Sequence, residues 1–435
     1  MADSNASPNL ADRLETTARR VSDAARHLAR QPSSTKNAAL SDIADVLRRR
    51  TAQILEANES DLERARAKDY DEAFMDRLRL DEDRVEKMAA DIEAVRELED
   101  PVGRVDSQWV RPNGLKVGRQ RIPLGVLALI YESRPNVTSD AASLCIKSGN
   151  GIVLKGGSAA FESNRAIHRA LRAGLEASPL PAEASDVVGF VDTTDRAAVG
   201  ELLELDDYID LVIPRGGPGL IEVVTEGARM PVLKHDAGVC HVVVDGTADP
   251  ETVDDIVLNA KCHRVSVCNA AETLLVLEDG VEPHLERLLG RLADEGVTLH
   301  LDERSREVAR RVDLDEETVH PADADAYRAE FLAPELAVRV VDDLDAAIEH
   351  IDRYGSDHTE SLVTDDYTRS QRFVDDVDSS VVMVNASPRF SDGNQLGLGA
   401  EIGISTTRLH AYGPMGVDEL TTTKFVVLGE GQIRN

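Results

Sequence analysis

The sequence predicts an α/β protein built from two parallel-sheet domains, and three observations carry that expectation. At 435 residues the chain is longer than one hydrophobic core usually serves. Short apolar runs alternate with helical stretches in two successive sets, the pattern of strands joined by crossover helices. A hydrophobic content of 42% is enough to fill both cores.

Residues 10–98 read as helical, because apolar residues recur at spacings of three and four, as at Ala39, Ile43, Val46 and Leu47. Ser33 and Ser34 are candidate caps of the second helix. Residues 102–117 are short and turn-rich, with Pro101, Pro112 and Gly114 breaking any helix. Strands are expected at 125–130 and 151–155 around a helix at 139–148, then at 186–191 and 208–213 between helices at 164–177 and 197–205. A second set follows at 241–244, 273–277, 337–341, 360–364 and 380–384. The run 424–428 is too apolar to face water comfortably, so a partner subunit is expected to cover it. The expected division is a cofactor-binding domain over 1–100 and 118–236, a catalytic domain over 237–410, and association strands at 101–117 and 411–435.

The formal net charge of −31 is dispersed along the chain, a field that repels phosphate backbones and argues against nucleic acid as a partner. Most basic residues are Arg, and acidity with so little Lys suits a surface adapted to concentrated salt, where like charges are screened within about 3 Å at 1 M. A halophilic source is the expectation. No stretch reaches the length of about 18 apolar residues that spans a bilayer, and the N-terminus has no signal-peptide pattern, so a cytoplasmic protein with no membrane partner is expected. Four cysteines (Cys145, Cys240, Cys262 and Cys268) form no disulfide framework and no pair with metal-ligand spacing.

Cys268 carries the chemistry. It ends a polar stretch just before the apolar run 274–277, and Lys261, His263 and Arg264 add positive charge that favours a thiolate. The competing interpretation is a small buried hydrophobe. Lys155, Gly156 and Ser158 follow a strand, where a lysine can reach a ribose hydroxyl or phosphate, or simply be solvated. Arg215, Gly216 and Gly217 precede a helical stretch whose first amides suit a pyrophosphate, although glycine pairs are also common turn chemistry. No Gly-x-Gly-x-x-Gly turn appears at the first strand. Asn385, Ser387 and Arg389 follow a buried strand and can hold an amino-acid carboxylate or ammonium, with Arg389 bidentate. His241 lies in a strand pattern and is not expected to bind metal.

Four long stretches, 122–150, 213–217, 232–236 with 267–269, and 384–416, resemble the gamma-glutamyl phosphate reductase family of the aldehyde dehydrogenase superfamily. The resemblance implies an aldehyde dehydrogenase-like fold with a small β element for homo-oligomerisation. It also implies NADPH-dependent reduction of L-glutamyl 5-phosphate, the labile product of glutamate 5-kinase, through a thioester on Cys268. By the same resemblance Lys155 serves the adenosine end of the cofactor and Glu330 the nicotinamide ribose. The oxyanion donor falls among Ser133, Arg134 and Asn136, and 397–403 closes the pocket. One departure is informative. Hydrolytic members carry a Glu-Leu-Gly-Gly segment whose glutamate activates water, and this chain has Lys234, His235, Asp236, Ala237 and Gly238 there. Without that base, attack of water on a thioester is slow; His235 could serve as acid, base, phosphate contact or structural residue.

Overall fold

In the computed structural model, residues 9–434 are described apart from 69, 71, 235, 236 and 313. Five helices open the chain: α1 (Leu10–Leu28), α2 (Ser33–Arg49), α3 (Thr51–Arg66), α4 (Glu72–Leu78) and α5 (Glu82–Glu97). Each long helix buries the stripe that its periodicity marks; in α2 this is Ala39, Leu40, Ile43 and Leu47. Asp81 caps α5 by accepting the Arg84 amide. Ser33 and Ser34 do not cap α2, because the helix starts at Ser33 behind Pro32 and both serines already lie inside its first turn.

The chain then forms a hairpin of β1 (Val105–Val110) and β2 (Lys116–Pro123), followed by β3 (Val126–Tyr131), α6 (Val137–Lys147), β4 (Gly151–Gly156), α7 (Phe161–Ala177), β5 (Val188–Phe190), α8 (Ala197–Leu203), β6 (Leu211–Arg215) and α9 (Pro218–Gly227). Strands β3 to β6 make a parallel sheet in the order β5-β4-β3-β6. Every residue of β3 and β4 is buried, which is why these strands read as unbroken apolar runs without alternation.

A second series runs through β7 (Cys240–Val244), α10 (Pro250–Cys262), β8 (Ala271–Leu277), α11 (Glu286–Asp294), β9 (Thr298–Leu301), α12 (Glu303–Ala309), β10 (Val319–Pro321), β11 (Glu335–Val341), α13 (Leu344–Tyr354), β12 (Thr359–Val363), α14 (Tyr367–Asp376) and β13 (Val381–Val384). Its seven strands are ordered β10-β9-β11-β8-β7-β12-β13. Strands β9 and β10 escaped the sequence reading because they have four and three residues, and in β9 only Leu299 and Leu301 turn into the core. Two short strands, β14 (Ile404–Ser405) and β15 (Gly413–Pro414), precede the last strand, β16 (Thr421–Leu428), which pairs antiparallel with β2.

The chain divides into two compact units. The first comprises Met1–Lys234, Gly397–Gly403 and Met415–Asn435; the second comprises His235–Leu396 and Ile404–Pro414. Segment 397–403 therefore departs from the expected catalytic domain, because Gly399 packs on Leu98 of the first unit at a spacing that leaves no room for a side chain. The three-stranded sheet β1-β2-β16 exposes Val105, Val110, Phe425, Val427 and Leu428, each more than half accessible. None of the four cysteines is in a disulfide. Among the described residues no helix is long and apolar enough to cross a membrane.

Candidate functional site

In the second unit, Asp249 caps α10 by accepting the Thr252 amide, Pro250 opens the helix, and Cys262 ends it. The loop that follows carries half-buried Cys268. Its position depends on Gly238, where an added methyl would stand 2.3 Å from the Cys268 carbonyl oxygen and 2.9 Å from its Cα. Cys240 Sγ donates to the same carbonyl at 3.2 Å and lies 3.5 Å from His358 Nδ1. Burial pushes the Cys240 thiol well up, so it remains a protonated donor. The next residue, Asn269, donates from Nδ2 to the Ser391 carbonyl at 2.9 Å, tying the loop to the segment after β13.

The charges expected to favour a thiolate are arranged differently. Lys261 is fully buried and its Nζ meets Glu272 Oε2 at 2.6 Å, so its charge is compensated within the core. Burial pushes Glu272 up to about 7, and Lys261 works against that rise. His263 and Arg264 are exposed. A cation that bears on Cys268 is Arg389: burial lowers its pKa, and the Cys268 thiolate acts in the opposite direction. Arg389 Nε is buried with no hydrogen-bond partner, a donor that suits an anion.

The neighbours of Arg389 have other tasks. Ser387 is buried and its Oγ accepts the Arg389 amide at 3.3 Å. Asn385, with φ of 53°, accepts the Thr364 amide at 2.9 Å and donates to the Thr364 carbonyl at 2.8 Å. Its amide thus holds the end of β12. Glu330 accepts the Gly238 amide, and burial raises its pKa. His241 pairs through Nδ1 with Glu360 at 2.8 Å, both fully buried. His235 lies outside the described residues.

In the first unit a cavity of about 530 Å³ opens over the ends of β3 and β4, and Ser133, Lys155, Gly156 and Ser158 all line it. Lys155 is only 5% exposed and donates to the Gly156 carbonyl at 3.0 Å, so it is not a solvated strand end. Burial lowers its pKa, and Asp195 works against that. Arg215, Gly216 and Gly217 stand at the end of β6 and outside this lining. The Gly217 amide at the start of α9 already donates to Glu132 Oε2 at 3.1 Å, so a carboxylate of the chain holds the place foreseen for a pyrophosphate. Arg134 and Asn136 are exposed, and Asn136 Nδ2 donates to Asp140 at 2.8 Å.

Several of these residues gave no signal in the sequence. Gly238, Cys240 and His358 meet only through the pairing of β7 with β8 and β12. Tyr70, Phe74, Thr194 and Arg196 join the cavity from segments far apart in the chain.

Comparison with known proteins gives a consistent result. Residues 6–306 match the model of the aldehyde dehydrogenase family. A gamma-glutamyl phosphate reductase of Persephonella marina is 49% identical over 422 residues, covering 97% of this chain and 94% of that one. One of Salinibacter ruber is 51% identical over 412 residues, covering 95% and 92%. The crystal structure of the Thermotoga maritima gamma-glutamyl phosphate reductase superposes with a TM-score of 0.92 at 44% identity, covering 98% of this chain and 100% of that one.

The approach of Gly238 to Cys268 yields a test. Gly238→Ala must push the Cys268 backbone aside; a loss of about 1–3 kcal/mol in the second unit is expected, with at least a tenfold slower alkylation of Cys268 by iodoacetamide. Urea denaturation and peptide-resolved alkylation measure the two effects, and wild-type values for both would show that the loop does not rest on Gly238.

Proposed function

The chain belongs to the aldehyde dehydrogenase family, and from that premise we propose that it reduces L-glutamyl 5-phosphate to L-glutamate 5-semialdehyde and phosphate, the second step of proline biosynthesis, with NADPH as reductant. The observation that carries the reading is identity of about half over nearly the whole chain to proteins named for this reaction. The site chemistry agrees with it.

Cys268 thiolate attacks the acyl carbon of the substrate, the carbon–oxygen bond to phosphate breaks, and phosphate departs with the bonding pair. An acyl thioester remains on Cys268, and covalent capture holds the carbonyl in place. The Cys268 amide is the second unit's donor to the oxyanion, and by the resemblance a side chain among Ser133, Arg134 and Asn136 is the other. A bound nicotinamide cofactor would supply hydride to the thioester carbon, and Cys268 would leave as thiolate when the thiohemiacetal collapses to aldehyde. Arg389 takes an anionic group of the substrate, since its buried Nε has no partner of its own.

The residues of the first unit fit a nicotinamide dinucleotide. Lys155 and Ser158 sit beside a cavity of suitable volume, and Arg196 adds a second cation to the lining. Two cations suit an adenosine 2'-phosphate better than a bare ribose hydroxyl, which favours NADPH over NADH. The pyrophosphate would replace the Glu132 carboxylate at the Gly217 amide. Glu330, by the resemblance, serves the nicotinamide ribose.

Glutamate kinase, glutamate and ATP, coupled to NADPH oxidation, test the assignment. Cys268→Ser should reduce turnover by about 10³-fold or more while NADPH still binds within a few-fold, because the hydroxyl stays protonated at neutral pH. An active Cys268→Ser beside an inactive Cys262→Ser would contradict the mechanism.

The exposed face of β1-β2-β16 is the surface by which two copies of the chain associate in this proposal, because Val427 and Leu428 would otherwise present apolar area to water at a sheet edge. Phe425→Asp should shift the sedimentation coefficient toward that of a monomer; an unchanged oligomer would place the interface elsewhere.

A further inference from the structure

Tyr70, in the connection between α3 and α4, and Phe74, in α4, stack with ring centroids 4.1 Å apart and planes inclined by 20°. Phe74 is anchored, for it packs against the cluster of Leu62, Ala65, Leu78 and Ala160. Tyr70 is not, and 40% of it stays exposed. Both rings line the cavity that contains Lys155 and Ser158. Val223 of α9 lines it too and is 55% exposed, and Val199 of α8 and Leu220 of α9 supply further aliphatic wall. Large apolar groups left open to one concave space, with a few cations at hand, make a slot for a flat apolar ring that carries a nearby negative charge.

From this geometry we propose that the Tyr70–Phe74 pair is the wall on which the adenine of the dinucleotide stacks. The proposal rests on the reading of this cavity as the cofactor site. An adenosine 2'-phosphate carries its charge next to the purine, and the basic groups of the lining, Lys155 and Arg196, belong to the same cavity as the aromatic pair. The ring beside those cations is therefore the purine and not the nicotinamide. Phe74, held from behind by its core contacts, fixes the plane of Tyr70, so the stacking surface exists before the ligand arrives and little entropy is lost on binding. The helical N-terminal segment thereby takes part in nucleotide binding as well as covering the sheet.

Titration calorimetry with 2',5'-ADP and with NADPH tests this on wild type, Tyr70→Ala, Tyr70→Phe and Lys155→Ala. Tyr70→Ala should weaken both ligands by the same factor, about 10-fold, because they share the adenosine and a base–aromatic stack is worth about that much. Tyr70→Phe should bind like wild type, and thermal melts should show all variants folded, which separates a lost stack from a disturbed helix. If Tyr70→Ala binds 2',5'-ADP as tightly as wild type while Lys155→Ala does not, the stacking proposal is overturned and the cofactor cavity stands. If Tyr70→Ala weakens NADPH but not 2',5'-ADP, the ring on Tyr70 is the nicotinamide and the assignment to adenine is overturned. If wild type fails to bind 2',5'-ADP, the reading of the cavity itself falls.

Discussion

The backbone of Cys268 passes so close to Gly238 that a methyl group there would sit 2.3 Å from the Cys268 carbonyl oxygen. A thiol nucleophile is useful only if its sulfur and the amide that meets the oxyanion keep one orientation, and loops do not do this unaided. Here the loop is held from three sides: by Gly238 through close contact, by the Cys240 thiol on its carbonyl, and by Asn269 reaching the Ser391 carbonyl. Cys240 opens β7, Gly238 stands two residues before it, and His358 immediately precedes the neighbouring strand β12, so the sheet order is what brings these groups to the Cys268 loop.

Charge is spent differently inside and outside. Two buried lysines are paired with carboxylates: Lys261 with Glu272, and Lys36 with Asp100 at 2.5 Å. Each such pair would cost about 3–5 kcal/mol to break from one side, because a buried charge without a partner is expensive. Arg389 stands apart, since its buried Nε has no protein acceptor. That contrast is the reason to assign it to an anionic ligand and to treat the paired lysine, despite its nearness in sequence to Cys268, as structural.

The strands at 125–130 and 151–155 were legible because strands covered on both faces are largely apolar. Strands β9 and β10 were not, since three or four residues hold too little pattern to stand out from a loop. The place of Cys268 in a loop before a strand was legible, whereas the compensation of Lys261 by Glu272 was not, because it depends on how α10 packs on β8. The strand that ends in the Lys155 stretch and the start of α9 could be foreseen. The Glu132 carboxylate on the Gly217 amide could not, for nothing in the local text of either residue marks the other. The bonds of the Asn385 amide to Thr364, at a positive φ, were likewise not marked in the local text. Residue type and position revealed which chemistry was available, and tertiary contacts decided which groups were free to perform it.

The central claim is that Cys268 takes an acyl group from a phosphate and holds it, because the segment equivalent to the water-activating glutamate carries none. The most direct measurement is rapid-quench phosphate release when glutamyl phosphate, generated by glutamate kinase, is supplied without NADPH. The account predicts a burst equal to the Cys268 content, followed by release at least about 10²-fold slower, since general-base assistance to water is missing. Linear release with no burst, or a burst that persists in Cys268→Ser, would contradict it.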